Sequence, residues 1–350
     1  MLRSWLVGLM LIQVACNWPP FEGPADGSSA DSQVDPILGC GREWTDITPK
    51  LAGPLKPLRG VFATASTVYA VGESGTVLTM AAGAPPAACT ITGRTTGLDD
   101  GILYSVSASD SSLYVAGEKG IYQSRIASSS VCLADIDSGA KPCSDLWMTG
   151  DSGFAACDAQ IRMKRSPSSS WESLQALSNN QFFVVSSPDL LISGGAFGNY
   201  DVADLPSATW RMPSPLLVST PALRDGWYSG VDLCVVGDSR FYSCFDSVAR
   251  KIPDSSSPPL IPDPTVNATF LSLWNKGGNT YIAGSEKNLK VASFQTGTVW
   301  RNSSATEPIL TKDDYIFHAV YGYGKNVYVV GRRLLDAAYV GVIFCQSVGG

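Results

Sequence analysis

A short apolar phrase that ends in glycine recurs along this chain, and it constrains the fold more than any other feature. Clear copies read Val68-Tyr69-Ala70-Val71-Gly72 and Val327-Tyr328-Val329-Val330-Gly331. The first and last copies end 259 residues apart, so the six intervals between them average about 43 residues. A repeat of ~40–45 residues built from strands is typical of a β-propeller. We therefore predict an all-β, seven-bladed propeller whose seven phrases end at Gly72, Gly117, Cys157, Gly194, Gly237, Gly284 and Gly331.

Each repeat divides into four strands, of which the recurring phrase is the second. In the first repeat we predict strands at 61–65, 68–71, 76–80 and 89–92, with a glycine-rich turn between the second and third. The second strand is apolar at nearly every position, which indicates burial on both faces between adjacent blades. We expect a tryptophan in the fourth strand of later repeats, at Trp171, Trp210 and Trp300.

Composition agrees with short strands and tight turns. The 350 residues include 34 Gly and 22 Pro, and no long segment has an apolar period of 3.6, so helix should be scarce. The formal net charge is −6. Because an acidic protein repels a phosphate backbone, we do not expect a nucleic-acid partner.

The last repeat lacks a fourth strand, and the N-terminal segment can supply it. After a third strand at Tyr339–Cys345 the chain ends within five residues, whereas Trp44–Thr48 precedes the first repeat and carries the tryptophan of a fourth strand. Pairing these segments closes the ring and removes exposed sheet edges. Cys40 and Cys345 flank the two pieces, so we predict a Cys40–Cys345 disulfide that locks the closure.

The cysteine count is nine, which leaves an even number if one is modified at the N-terminus. Cys234 and Cys244 straddle a predicted hairpin turn and should be bonded across it. Four cysteines remain without an order, with a Cys132–Cys143 bridge as one possibility and buried free thiols as another. These four are Cys89, Cys132, Cys143 and Cys157.

The N-terminus predicts export. Residues 1–16 hold one positive charge and an apolar run that is too short to span a bilayer, as in a signal peptide. The run ends Gln13-Val14-Ala15-Cys16, a lipobox-like sequence that predicts lipidation at Cys16, with ordinary signal cleavage as the alternative. We expect residues 17–39 to be a flexible tether and residues 40–350 to be the propeller. The predicted location is the outer membrane or cell surface, otherwise the periplasm or the medium.

The repeats resemble the photosystem II assembly-factor-like and BNR-type repeats found in seven-bladed propeller lipoproteins of bacteria. The segments Val71–Val77 and Val115–Ile121 carry this resemblance, which covers roughly residues 41–346. No WD dipeptide ends the repeats, and the Ser-x-Asp-x-Gly-x-x-Trp box of sialidases is absent, so the resemblance implies no sialidase activity.

Residues that could carry chemistry are few. The one histidine, His318, lies in a predicted inner strand and is expected to be packed rather than catalytic. A site with several histidine ligands is excluded within this sequence, and we predict no metal, no cofactor and no catalytic residue. Asp135–Gly139 lacks the later acidic ligand of a calcium loop and is expected to be a solvated loop. We expect the basic run at Arg162, Lys164 and Arg165 to be a solvated surface.

Several aromatic residues leave two interpretations open. Tyr321, Tyr323 and the pair Trp227-Tyr228 could be exposed groups that stack on sugars, or they could be core residues. The leading functional hypothesis is a non-enzymatic binding or scaffold protein of the bacterial envelope, with an envelope protein or glycan as partner and the membrane reached through a lipid anchor. The alternatives are a glycan hydrolase or lyase acting in the channel, and a passive coat protein.

Overall fold

Seven antiparallel sheets form a closed ring in the computed structural model of the chain. The structure describes residues 40–49, 51, 54–93, 97–98, 101–126, 133–137, 141–176, 181–205, 209–211, 222–230, 232–245, 267–276, 279–287, 295–301 and 308–348. The innermost strands contact one another in order around the ring, and the innermost strand of the seventh blade contacts that of the first. The predicted seven-bladed propeller is therefore confirmed.

The first four blades follow one another along the chain. Blade 1 comprises β2 (Leu58–Ala63), β3 (Thr67–Gly72), β4 (Thr76–Ala81) and β5 (Ala87–Thr90). Two short strands, β6 (Thr92–Gly93) and β7 (Gly97–Leu98), join the sheet of blade 2. Blade 2 comprises β8 (Leu103–Ala108), β9 (Ser112–Gly117), β10 (Gly120–Arg125) and β11 (Leu133–Asp137). Blade 3 comprises β12 (Cys143–Thr149), β13 (Ser152–Cys157), β14 (Gln160–Lys164) and β15 (Glu172–Ala176). Blade 4 comprises β16 (Gln181–Ser186), β17 (Leu190–Gly195), β18 (Tyr200–Asp204) and β19 (Thr209–Arg211).

The last three blades complete the ring. Blade 5 has three described strands, β20 (Leu223–Tyr228), β21 (Leu233–Gly237) and β22 (Tyr242–Cys244). Blade 6 comprises β23 (Asn267–Lys276), β24 (Asn279–Lys287), β25 (Gln295–Arg301) and β26 (Leu310–Asp313). Blade 7 comprises β27 (Tyr315–Tyr323), β28 (Asn326–Leu335), β29 (Ala338–Ser347) and, from the other end of the chain, β1 (Thr45–Asp46).

Helix is nearly absent from the described part of the chain, as composition predicted. It consists of three single 3-10 turns: Glu73–Gly75, Ala196–Gly198 and Asp238–Arg240. Each turn connects the second and third strands of its blade. Within the same described ranges, no helix has the length and apolar character needed to cross a membrane.

Every recurring phrase lies in the second strand of a blade. This strand is buried at all positions in blades 1, 2 and 5, which confirms its predicted burial on both faces. The predicted limits of blade 1 were wrong by a few residues for the first strand, which covers Leu58–Ala63 and not 61–65. In blade 4 the residue equivalent to the other phrase endings is Gly195, not Gly194, because Gly195 pairs with the first residue of β16 as Gly72 pairs with Leu58.

Close backbone approach explains the recurring glycine. The φ angle of Gly72 is −172°, so its backbone is extended and does not require glycine. A Cβ atom at Gly72 would lie 1.9 Å from the carbonyl oxygen of Pro57, and one at Gly331 would lie 2.0 Å from that of Ile316. The chain entering each inner strand therefore passes too close for a side chain. In blade 3 the equivalent residue, Cys157, is instead bonded to the entering strand through Cys143.

The N-terminal strand closes the ring as predicted. Thr45 pairs with Cys345 and Asp46 with Phe344, and the Ile47 N–H donates to the carbonyl of Ile343 at 3.0 Å. A Cys40–Cys345 disulfide with an S–S distance of 2.11 Å joins the two ends of the domain, as the sequence suggested.

The other cysteine predictions have mixed outcomes. The suggested Cys234–Cys244 bridge is present across its hairpin. The suggested Cys132–Cys143 bridge is wrong, because Cys143 and Cys157 face each other at the start of blade 3 and are bonded. Cys89 is also disulfide-bonded. Cys132 lies outside the described residues, as do Cys16 and the signal and tether segments 1–16 and 17–39.

Candidate functional site: the central channel

Each inner strand has a β-bulge at the same place, directly after the residue that pairs with the end of the recurring phrase. A bulge turns a side chain away from the regular alternation of the strand. Here the bulged side chains all line the central channel. In ring order they are Arg59, Tyr104, Ser144, Phe182, Arg224, Leu271 and His318.

In blades 1, 2 and 5 the residue after the recurring phrase is acidic, and its carboxylate contacts the bulged side chain of the same blade. Arg224 forms a bidentate ion pair with Asp238, with Nε–Oδ1 and Nη2–Oδ2 distances of 2.8 and 2.7 Å. The Tyr104 hydroxyl donates to Glu118 at 3.3 Å. In blade 1 Arg59 pairs with Glu73. We call the set Arg59, Glu73, Tyr104, Glu118, Arg224, Asp238, His318 and Arg332 the charged end of the channel.

His318 is part of this charged end. Its Nε2 atom lies 3.2 Å from Nη1 of Arg59, and an arginine can only donate, so the imidazole accepts. Burial is the main cause that holds the pKa of His318 well below its usual range, and the charges of Arg59 and Arg332 add to it. The imidazole is therefore neutral near pH 7. It is packed, in agreement with the sequence-based expectation.

Carboxyl groups also lie on two of the inner strands. Asp145 and Asp225 occupy the position after the bulge in blades 3 and 5. Asp145 accepts from the Val184 N–H at 3.0 Å, and Asp225 accepts from the Leu273 N–H at 2.9 Å. Each carboxyl thus ties its blade to the inner strand of the next blade.

Burial raises the pKa of both carboxyl groups. Desolvation, followed by the charge of Asp225, raises the pKa of Asp145 to about 8. Desolvation raises the pKa of Asp225 to about 6, against the opposing effect of its hydrogen bonds from Leu273, Ser272 and Gly226. Near neutral pH Asp145 therefore holds a proton, while Asp225 is largely ionised.

The opposite end of the channel is aromatic. Trp227 of blade 5 contacts Trp147 of blade 3 and Tyr321 of blade 7, with ring centroids 5.1 and 5.7 Å apart. These blades are not neighbours of blade 5, so the Trp227 ring crosses the channel axis. Trp274 lies 6.5 Å from Trp227, and Phe62 lies 4.6 Å from Tyr321. We call these five side chains the aromatic end.

Trp227 and Tyr321 are partly buried and pack against the apolar core, so they are not free platforms for sugars. The Trp227 indole N–H donates to the carbonyl of Asn275 at 3.1 Å, which satisfies its polar atom. Tyr323 packs against the apolar cluster of blades 1 and 7. Tyr228 packs against the cluster of blades 3 to 5, and its hydroxyl donates to Gly230.

The space between the two ends is small. The cavity measures about 150 Å³ and is lined by all seven inner strands. This volume corresponds to roughly five water molecules. A cavity of this size is too small for a sugar chain along the axis.

Other residues singled out from the sequence lie elsewhere. The basic run is not a solvated surface at two of its positions, because Arg162 and Lys164 are 8% and 3% exposed. Arg162 pairs with Asp137 at 2.7 Å and donates to the carbonyl of Trp171. Asp137 ends strand β11, so the predicted solvated loop is wrong for 135–137. Within the described ranges no three His, Cys, Asp or Glu side chains are grouped as metal ligands.

Two of the three predicted fourth-strand tryptophans are near the predicted place. Trp210 lies in β19, and Trp171 immediately precedes β15. Trp300 lies in β25, the third strand of blade 6, because the fourth strand of that blade is Leu310–Asp313. This assignment was wrong.

The charged end was not predicted, although the sequence holds a signal for it. The residue after the recurring phrase is acidic in four repeats, at Glu73, Glu118, Asp158 and Asp238. Asp158 pairs with Lys141 at 3.2 Å. The arginine or tyrosine partners of Glu73, Glu118 and Asp238 each precede their acidic residue by 14 residues and lie at the bulge of an inner strand.

Comparison with known structures supports the class of protein. The WD40 β-propeller domain of Doa1 superposes with a TM-score of 0.60 over 87% of this chain and 97% of that domain, with 11% sequence identity. Identity this low shows a shared fold alone. No protein-family model matches the sequence, and no curated protein matches it. The chain is a seven-bladed β-propeller, and its resemblance to assembly-factor-like and BNR-type repeats stays a prediction.

Proposed function

We propose that this propeller is a non-enzymatic binding protein of the bacterial cell envelope, which engages its partner at the charged end of the channel. The proposal rests on the difference between the two ends of the channel. At one end aromatic rings meet across the channel axis, whereas the other end presents arginines and carboxylates around a cavity of about 150 Å³. A rigid ring with side chains of both signs at one opening suits recognition.

The glycan hydrolase alternative would need Asp145 and Asp225 as acid and base. Both carboxyl groups already accept backbone N–H groups of the next blade, at 3.0 and 2.9 Å. That bonding gives them a structural role, and the small cavity leaves no room for a sugar chain along the axis. We therefore favour binding over hydrolysis.

Photocrosslinking in intact cells tests where a partner binds. A photoreactive amino acid at the exposed Lys119, beside the charged end, should give a discrete adduct. The matched control is the exposed Ser111, in the turn at the other end of the same blade, which should give none. Adducts from Ser111 alone would contradict the proposed face, and adducts from neither position would favour a passive coat protein.

Envelope location is tested separately through Cys16. The apolar run that ends at Val14-Ala15-Cys16 supports lipid anchoring. Replacing Cys16 by Ser should move the protein from the membrane to the soluble fraction, and mass spectrometry of the wild type should find lipid on the N-terminal peptide. Equal membrane association of both forms, without lipid on the wild type, would overturn the anchor.

A further inference from the structure

We propose that the channel mouth between blades 7 and 1 binds an acidic segment of a partner protein, in which a carboxylate lies beside an apolar side chain. The inference rests on the proposed binding function and names the chemistry of the partner. Four side chains carry it: Arg59 and Arg332 for the carboxylate, and Leu334 and Tyr339 for the apolar neighbour.

The first argument is an excess of positive charge. Arg59 and Arg332 both lie against a single carboxylate oxygen of Glu73, and the Nη1–Oε1 distance of Arg332 is 3.9 Å. The neighbouring imidazole of His318 is neutral. This corner therefore holds two cations and one anion, whereas Arg224 across the channel is fully paired with Asp238.

The arginines also have unused donors. The Nε atoms of Arg59 and Arg332 are buried and have no hydrogen-bond partner in the described part of the chain. About a quarter of each side chain stays exposed, at 24% for Arg59 and 22% for Arg332. The Nε atoms are not accessible from solvent, so a carboxylate from outside would bind the exposed part of each guanidinium through the Nη atoms.

The second argument is an apolar patch on the same face. Strands β28 and β29 continue past the recurring glycine as a hairpin, and its turn, Asp336-Ala337, has φ angles of 47° and 66°. Leu334 pairs with Tyr339 across this hairpin, two residues from Arg332 and so on its face. Leu334 is 41% exposed and Tyr339 is 48% exposed. A protein segment with an apolar side chain next to its acidic group would cover both features.

The third argument separates a protein segment from a glycan. A sugar would stack on a free aromatic face. The guanidinium of Arg332 lies over one face of the Tyr339 ring, 4.2 Å from its centroid, so a sugar could not stack on that face. The exposed aliphatic side chain of Leu334 lies beside this pair, so the patch combines apolar surface with cationic donors. This combination favours an acidic, apolar peptide.

A random peptide library selected on the folded, exported chain tests the proposal. We expect selected peptides to place Asp or Glu beside Leu, Ile or Phe. A fluorescently labelled selected peptide should bind about tenfold more weakly to R332Q and to R59Q, since each variant removes a charged hydrogen-bond donor. The same peptide with Asn or Gln in place of its acidic residues should weaken by a similar factor. Circular dichroism and thermal melting establish that both variants are folded.

Matched controls come from the other face of the hairpin. L334S should weaken binding severalfold, whereas L335S, at an equally exposed leucine on the opposite face, should leave it unchanged. The proposal is overturned if no acidic peptides are enriched, if R332Q binds as the wild type does, or if an oligogalacturonate competes better than the peptide. A rim adduct from Lys119 in cells, without acidic peptides in the selection, would keep the binding function and reject only this partner chemistry.

Discussion

The two ends of the channel are built from the same seven strands and differ in almost every physical respect. On β20, Arg224 faces the charged end, and Trp227, three residues further along, crosses the axis at the aromatic end. Two disulfides, Cys40–Cys345 and Cys234–Cys244, lie level with the aromatic end, whereas Cys143–Cys157 lies at the charged end, where β12 begins. Tyr321 lies in register with Tyr328 and Cys345 across blade 7, and Trp227 lies in register with Cys234 and Cys244 across blade 5.

This division separates stability from recognition. Aromatic rings that bury large apolar areas, together with the bridge that joins the chain ends, hold the ring together at one end. At the other end partly exposed ion pairs contribute little to folding, because water screens them and their side chains lose entropy. Changes at the aromatic end should therefore alter the free energy of unfolding, and changes at the charged end should alter binding.

The largest expected effect is loss of the bridge that closes the ring. The Cys40–Cys345 bridge spans 305 residues, and the Cys234–Cys244 bridge spans 10. In the chain-entropy treatment the longer loop contributes about 6 kcal/mol and the shorter one about 3 kcal/mol, both as upper limits. Replacing Cys40 and Cys345 by Ala should therefore lower the free energy of unfolding more than replacing Cys234 and Cys244, as measured by denaturant titration. Equal losses would mean that β1 alone holds the ring closed.

Truncating Trp227 should have the next largest effect. The ring contacts residues of three other blades, and W227A should cost about 4 kcal/mol through lost burial and the cavity it leaves. The control on the same strand, R224Q, should cost less than ~1 kcal/mol, because its ion pair with Asp238 is partly exposed. Guanidinium unfolding of both variants makes the comparison. A greater loss for R224Q would contradict the division between the two ends.

Much of the ring could be read from the sequence, because the recurring phrase lies in the strand that is buried on both faces. A strand that is buried on both faces is apolar at nearly every position, so each blade has a recognisable phrase in the sequence. Counting the copies of this phrase gave the number of blades. The closing strand was also predictable, since a blade without a fourth strand needs one. The strand limits were less accurate, because the β-bulge in each inner strand shifts its start without leaving a local signal.

The candidate site was less predictable, because its contacts join residues that are far apart in the sequence. Arg59 and Glu73 are separated by a whole hairpin, and Arg332 reaches them from the last blade, so their contact depends on closing the ring. Asp145 and Asp225 were missed because each looks like an isolated acid in a strand. Their shared role is visible only once each is placed beside the next blade.

The smallest of the expected effects lies between the two ends, at Asp145. Its pKa is raised to about 8 by burial first and by the charge of Asp225 second, whereas an Asp in an unfolded chain titrates near ~3.9. Between those two pH values the folded state holds a proton that the unfolded state has lost. The free energy of unfolding therefore falls as the pH rises from about 4 to about 8, and it levels off above that range.

Replacing Asp145 by Asn should remove this pH dependence. An Asn side chain stays neutral, and its oxygen can still accept from the Val184 N–H. We expect the gap in stability between the two proteins to change in favour of D145N as the pH rises from about 4 to about 8, and to level off above that range. Thermal melting of both proteins at each pH measures this gap. D225N is the matched control: its gap should level off near pH 6, since the pKa of Asp225 is raised only to about 6. If D145N differs from the wild type by the same amount at every pH, Asp145 does not titrate in this range, and the raised pKa is wrong.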